Sequence, residues 1–229
     1  MDKQPEIDVR PNRDRLFEEL AVVGKAFANE KRLQLLGVLT QGERTVDVLA
    51  RTVELGVTTV SSHLQVLKLS GLVTSRREGT RVFYQLAGDD VAALFVALRS
   101  VASRRSANVE RAVEELFAAH DAGSVDVVSR SELLDLVGRD DATIIDVRPT
   151  EEFRSGHIPG ARSVPLEELP RRLEEFASGA EIVAYCRGAQ CVMAYDAVHL
   201  LRAHDRSARR LEDGLIEWSL AGLPVEVGA

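Results

Sequence analysis

The sequence predicts an α+β chain of two modules. Helices closed by a β-hairpin make the first, and strands alternating with helices around a parallel sheet make the second. Three observations carry this prediction. Apolar residues recur at helical spacing through the first part of the chain and switch to a period near two over 72–86. Beyond residue 140, the short apolar runs TIIDV (143–147) and EIVAYC (181–186) alternate with helical patterns, the signature of a parallel α/β sheet. Charge also divides the chain: residues 1–120 hold 17 basic against 16 acidic residues, and residues 121–229 hold 12 against 20. The expected modules are therefore 1–120 and 121–229, with HDAGSVD (120–126) as the linker.

The elements of the first module follow in order. The first dozen residues read as a polar tail. Leu16, Phe17, Leu20, Val23, Ala26 and Phe27 define a first helix. Asn29 is placed to cap a second, whose apolar face is Leu33, Leu35, Leu36 and Leu39. A third short helix runs through Val46, Leu49 and Val53 and ends near Gly56. Thr58 is expected to cap a fourth, TTVSSHLQVLKLSG, which Gly71 stops. LVTSRREGTRVFYQL reads as two strands around a Glu78-Gly79 turn. A long helix from Asp89 to about Ala119 is expected to break near Ser103–Asn108.

In the second module, SELLDLV, LEELPRRLEEFA and VMAYDAVHLLRAH read as helices. RRLEDG reads as a late short strand or turn, and LIEWSLAG as a final helix.

Composition excludes several classes of protein. Hydrophobic residues are 45% and charged residues 28% of the chain, too apolar for disorder. No apolar run approaches the ~18 residues of a membrane span. The charged N-terminus lacks an apolar signal core, and two cysteines are too few for a disulfide scaffold. A reducing cytoplasm is the expected location, no membrane is expected as a partner, and reactive chemistry is the better reason for the cysteines.

Helix–turn–helix followed by a hairpin is the outline of a winged helix. Thr58, Thr59, Ser61, Ser62, His63 and Gln65 form a small, polar helix face suited to the major groove, while Val60, Leu64 and Leu67 turn to the core. Lys68, Arg76, Arg77 and Arg81 stand against only Glu78 in this stretch and are expected to meet backbone phosphates of double-stranded DNA. Residues 14–103, with ANEKRLQLLGVLTQGE, S-S-H-L, L-x-x-S-G-L-V and R-x-E-G-x-x-x-x-Y, resemble the ArsR/SmtB-type winged-helix repressors. That resemblance implies a homodimer on a palindromic operator. The family's metal-sensing Cys-x-Cys is absent, since Thr45-Val46-Asp47-Val48 stands there, and 89–119 holds no His. No metal site and no cofactor are therefore expected.

Cys186 ends an apolar strand, with a helix starting near Cys191 or Val192. The intervening Arg187, Gly188, Ala189 and Gln190, with Cys191, can curl their amides inward as an anion cradle. The cradle, the helix dipole and the charge of Arg187 are expected to lower the Cys186 pKa. Residues 125–226, with IDVRPTEEFRSGHIPGARSVPLEEL, IVAYCRGAQCVMAYDAVHLL and LEDGLIEWSLAGLPV, resemble a single rhodanese domain. The resemblance implies a five-stranded parallel sheet and a persulfide carried on Cys186, with Arg187 assisting.

A phosphatase-type Cys-x5-Arg loop would need arginine where Val192 stands, so the sulfur-transfer loop is favoured. Cys191 is a candidate resolving thiol. Asp146, Arg148 and Glu152 are expected to order the loop, and His157 and Trp218 to serve structure.

The reading is a DNA-binding regulator, a repressor in type, that senses or transfers reactive sulfur from a small donor such as thiosulfate. One alternative is a thiosulfate sulfurtransferase with the first module as dimerisation scaffold. Another is an arsenic- or thiol-reactive-metal-responsive repressor acting through Cys186 and Cys191.

Overall fold

A computed structural model describes residues 10–120, 125–139, 142–177 and 179–228. The first nine residues and most of the expected linker, 121–124, lie outside the described residues. The chain divides into two compact units, one of residues 1–39 and 43–91, the other of residues 40–42 and 92–229.

The first unit holds α1 (Arg10–Phe27), α2 (Glu30–Leu39), β1 (Arg44–Thr45), α3 (Val46–Thr52), α4 (Val57–Leu69), β2 (Val73–Glu78) and β3 (Arg81–Leu86). Asn29 caps α2 as its sequence position predicts: its Oδ1 accepts from the Arg32 amide at 3.1 Å. Thr58 does not cap α4. The Val60 amide bonds the Gly56 carbonyl at 3.0 Å, so the helix starts earlier and Gly56 holds the cap position. Gly71 does end α4. It takes φ +71°, and the amides of Gly71 and Leu72 turn back to Lys68 and Leu67 at 3.0 and 2.9 Å.

The hairpin pairs Glu78 with Arg81, which places the turn at Gly79-Thr80, one residue beyond the expected Glu78-Gly79. β1, too short to leave a period in the sequence, joins β3 to make the order β1-β3-β2. Leu35, Leu36, Leu49, Val60, Leu64 and Leu67 are fully buried and form the centre of this unit.

The second unit is built on a five-stranded parallel sheet, as the rhodanese resemblance implies, and its strand order is β4-β8-β7-β5-β6. Its strands are β4 (Val127–Val128), β5 (Ala142–Asp146), β6 (Arg162–Ser163), β7 (Glu181–Tyr185) and β8 (Ala208–Leu211). Its longer helices are α5 (Asp89–Arg105), whose first turn falls in the first unit, α6 (Ala107–Ala118), α7 (Arg130–Arg139) and α10 (Met193–Arg202). Short ones are α8 (Thr150–Ser155), α9 (Leu169–Arg172) and α11 (Leu215–Leu220). The break between α5 and α6 falls at Ser106, inside the expected window. LEELPRRLEEFA yields only α9 and one turn of 3-10 helix, because Pro170 opens it late and the chain turns extended at Phe176.

The sheet is buried on both faces, which is why its central strands read as unbroken apolar runs. Along β7 the side chains alternate. Ile182 and Ala184, with Cys186 just beyond the strand, face one hydrophobic cluster with Ala197, Val198 and Leu201 of α10. Val183 and Tyr185 face the other, with Leu133, Leu215 and Trp218.

Candidate functional site

β7 lies at the centre of the sheet, and the loop 186–192 leaves its carboxyl end, where open parallel sheets bind ligands. The loop is held by its neighbours. Leu215 and Ile216, at the start of α11, donate their amides to the carbonyls of Cys186 and Arg187 at 3.0 and 3.3 Å. The Glu217 carboxylate takes the Gly214 amide at 3.1 Å and the Ala189 amide at 3.4 Å. The Cys191 amide closes a turn on the Gly188 carbonyl at 3.0 Å. The Gln190 side chain is bonded at both ends within the same unit, accepting from Arg99 Nε at 2.9 Å and donating to Ser103 Oγ at 2.8 Å.

The two thiols occupy different environments. Cys186 is only 1% exposed and its thiol donates to the Cys191 carbonyl at 3.4 Å, whereas Cys191 is partly exposed. The amides of Gly188 and Ala194 face the Cys186 sulfur, and those of Arg187 and Met193 face that of Cys191. Amides from the two ends of the loop thus lie toward both sulfurs rather than toward Cys186 alone. Burial pushes the Cys186 thiol well above its ordinary range. The hydrogen bond from Cys186, helped by the cradle amides and Arg187, lowers Cys191 to about 6. The lowered pKa expected at Cys186 thus falls on Cys191, because the strand end carries the first thiol into the core.

Charged groups beneath the loop pair differently from the expected Asp146–Arg148–Glu152 set. Asp146 and Arg148 form a fully buried ion pair, with Nη2 to Oδ2 at 2.5 Å and Nε to Oδ1 at 2.9 Å. Arg148 also donates to the Gly156 carbonyl at 2.7 Å. Glu152 instead takes Arg187 through two bonds, Nη2 to Oε1 at 2.5 Å and Nε to Oε2 at 2.9 Å. Arg187 therefore anchors the loop to α8 with a guanidinium already matched by a carboxylate. His157 is buried, stacked on Phe153 with ring centres 3.7 Å apart, and its Nδ1 lies 3.0 Å from the Phe153 carbonyl. Trp218 is buried, and its indole N–H donates to the Pro224 carbonyl at 2.8 Å.

In the first unit, α4 exposes Thr58, Thr59, Ser62, Gln65 and Lys68, leaves Ser61 and His63 half-buried, and buries Val60, Leu64 and Leu67 completely. Arg76, Arg77 and Arg81 are all exposed on the hairpin. Arg76 is engaged: its Nε meets Glu43 at 2.7 Å, its Nη1 meets Glu78 at 2.6 Å, and it lies over the Phe83 ring. Arg77 uses only Nε, toward the Gly79 carbonyl at 3.1 Å, among the bonds described for it. Lys68 donates to Ser75 Oγ at 2.7 Å.

Comparison with known proteins matches both units to families. The model of the rhodanese-like domain matches residues 129–221, and that of the bacterial regulatory proteins of the arsR family matches residues 29–75. The HTH-type transcriptional regulator Rv0324 of Mycobacterium tuberculosis is 48% identical over 214 residues, 93% of each chain. The chain belongs to the ArsR family and carries a C-terminal rhodanese-like domain. A sulfurtransferase of Allochromatium vinosum is 31% identical over 91 residues, covering 39% of this chain and 83% of that one. Among solved structures, the homodimeric winged helix-turn-helix domain of a possible ArsR-family regulator from Mycobacterium bovis is 44% identical. It covers 47% of this chain and 95% of its own, with a TM-score of 0.41.

Two residues of the rhodanese loop assembly escape sequence reasoning. Glu217 and Gly214 lie in the LEDGLIEWSLAG block, where Glu217 reads only as a polar position on a short helix. Its carboxylate in fact spans two main-chain amides at the loop. In the ArsR-type unit, Glu43 is likewise invisible in advance, because its partner Arg76 lies on another element. Among the described residues no cluster of three or more His, Cys, Asp or Glu side chains is placed to hold a metal.

Proposed function

We propose that this ArsR-family chain is a repressor that binds a double-stranded DNA operator as a homodimer. Its rhodanese loop takes up sulfane sulfur from a small donor such as thiosulfate, as a persulfide on Cys186 with Cys191 as the resolving thiol, and operator affinity changes as a result. The observation that carries this reading is the loop that opens with Cys186 at the carboxyl end of central β7 and brings Cys191 back to it, with the Cys186 thiol 3.4 Å from the Cys191 carbonyl. The exposed hydroxyl and amide face of α4, backed by a buried apolar face, supports DNA recognition. The bonds from Gln190 to Arg99 and Ser103 support coupling, because a rearranged loop alters the bonding of α5, the helix that follows the hairpin in sequence. Only about 1.4 kcal/mol of difference between two loop states gives a tenfold change in affinity.

The test uses full-length protein and an operator selected from random duplexes. Affinity is measured for reduced protein, thiosulfate-treated protein and treated Cys186→Ser. A severalfold or greater change on treatment, lost in the variant, is the expected result. Equal affinity in all three refutes the sensor reading. The 31% identity to a sulfurtransferase favours a second reading, catalytic turnover, which steady thiocyanate formation from thiosulfate and cyanide would reveal.

A further inference from the structure

Two arginines are tied to the loop that Cys186 opens, and they differ in what balances their charge. Arg187 gives its guanidinium to Glu152 through paired bonds, so that cation is cancelled where it stands. Glu217, bonded to the Ala189 and Gly214 amides, adds a carboxylate to the same loop. Arg99 of α5 is the other arginine. Its Nε donates to Gln190 Oε1 at 2.9 Å, and its guanidinium carbon lies 5.6 Å from the centre of the Phe95 ring. Among the described residues it forms no ion pair, and its two terminal nitrogens have no hydrogen-bond partner. Ser103, one turn further along α5, accepts from Gln190 Nε2 at 2.8 Å and so fixes the side chain that holds Arg99.

The distribution of charge gives this cation a use. Residues 91–109 contain Arg99, Arg104 and Arg105 and no acidic residue, whereas residues 121–229 hold 12 basic against 20 acidic residues. A small anion nearing so acidic a module meets repulsion over most of its surface. Ala189, Gln190, Cys191, Val192 and Met193 are the partly exposed stretch of the loop region, and Arg99 is bonded within it. Arg187, Glu152 and Glu217 together leave one net negative charge at the loop, and Arg99 offsets it.

We propose that Arg99, a residue of α5 rather than of the loop itself, sets the charge class of the sulfur donor: it draws small anions of the thiosulfate kind to the loop in preference to neutral sulfane compounds. This rests on the sulfur-handling reading above. In that reaction the Cys186 thiolate attacks the outer sulfur of thiosulfate. A sulfur–sulfur bond to Cys186 forms, the bond to the sulfonate breaks, and sulfite leaves with the electron pair. The donor is a dianion and the thiolate is an anion, so repulsion opposes their encounter. A cation held beside the loop offsets that repulsion and takes no part in the bond changes. A neutral donor gains nothing from it. Arg99 is thus a specificity residue, and its effect belongs to the encounter with the donor.

The first arm of the test needs no sulfur donor. Reduced full-length protein is alkylated at low salt with iodoacetate, an anion, or iodoacetamide, its neutral counterpart, and the loop cysteine peptides are followed by mass spectrometry. Arg99→Gln, which keeps a donor for Gln190 but no charge, should lower the ratio of the iodoacetate rate to the iodoacetamide rate by about threefold or more. Arg99→Lys should restore the ratio, and high salt should bring wild type and Arg99→Gln together. An unchanged ratio in Arg99→Gln overturns the proposal. So does an equal fall with both reagents, which would make Arg99 a brace for the shape of the loop. The second arm follows sulfur uptake from thiosulfate. Arg99→Gln should slow it by about threefold or more, since the donor is doubly charged, and Arg99→Lys should restore it. Uptake by Arg99→Gln at the wild-type rate overturns the assignment of Arg99 to the donor. Wild type that takes up no sulfur on either cysteine overturns the sulfur-handling reading instead, and the alkylation ratio then decides the anion selection alone.

Discussion

Gly188 and Gly214 cross in backbone contact: a Cβ on Gly214 would stand 2.2 Å from the main-chain nitrogen of Gly188. The rhodanese loop and the entry to α11 are thus fitted to each other by the absence of a side chain. The same closeness lets Glu217 hold amides of both segments. Gly214→Ala must push them apart, and because the obstacle is backbone no rotamer change relieves it. The expected cost is about 1–3 kcal/mol of overpacking strain, read as a lower urea midpoint. The displaced loop should also expose Cys186 to faster alkylation. Unchanged stability and unchanged labelling would show that the contact yields freely.

The Asp146–Arg148 pair is predicted to be a large structural determinant of this domain. Both side chains are fully buried, so removing one leaves the other charge stranded. Asp146→Ala should destabilise the rhodanese domain by about 3–5 kcal/mol in a denaturant titration. A loss below about 1 kcal/mol would mean that water or another group compensates the arginine.

On the hairpin, Arg76 and Arg77 should behave differently although they are adjacent. Arg76 is already matched by Glu43 and Glu78, while Arg77 makes only a main-chain bond among those described. Arg77→Ala should weaken operator binding and reduce the slope of log affinity against log salt by about one. Arg76→Ala should change the slope less. Equal slopes for wild type and Arg77→Ala would remove this arginine from the DNA interface.

Thiol reactivity should depend on pH in a way that identifies the loop state. The thiolate is the reactive form, and Cys191 is lowered to about 6. Its alkylation rate should therefore be flat above pH ~7 and fall about tenfold per unit below its pKa. The hydrogen bond from Cys186 is the largest cause of that lowering. Cys186→Ala removes the donor and should move the Cys191 profile toward higher pH, while Cys186→Ser, which keeps a hydroxyl donor, should move it less. An identical profile in Cys186→Ala would place the cause in the loop amides alone.

Much of this molecule is legible in its sequence, because the deciding interactions are local. The Asn29 cap, the Gly71 stop, the break near Ser106, and the apolar runs of β5 and β7 each depend on residues within a turn or strand of one another. The same holds for the alternation of buried and exposed positions on α4, and for a cysteine-bearing loop after an apolar strand. Local spacing fixes period, capping and chirality, so such features can be read one segment at a time.

Tertiary structure alone decided how distant segments meet. The two-residue strands β1, β4 and β6 exist only because a longer neighbour offers them bonds. Glu152 could have joined Arg148, yet the placement of α8 gives it to Arg187, and Arg148 closes on Asp146 instead. Glu43 reaches Arg76 across the fold, and Glu217 reaches Ala189. The thiol environments were settled in the same way. The sequence sets Cys186 at a strand end and Cys191 at a helix start but does not say how far each is buried; packing against α10 buries Cys186 and leaves Cys191 partly open. Burial and pairing depend on which elements become neighbours in three dimensions, and no local period of a single chain carries that information.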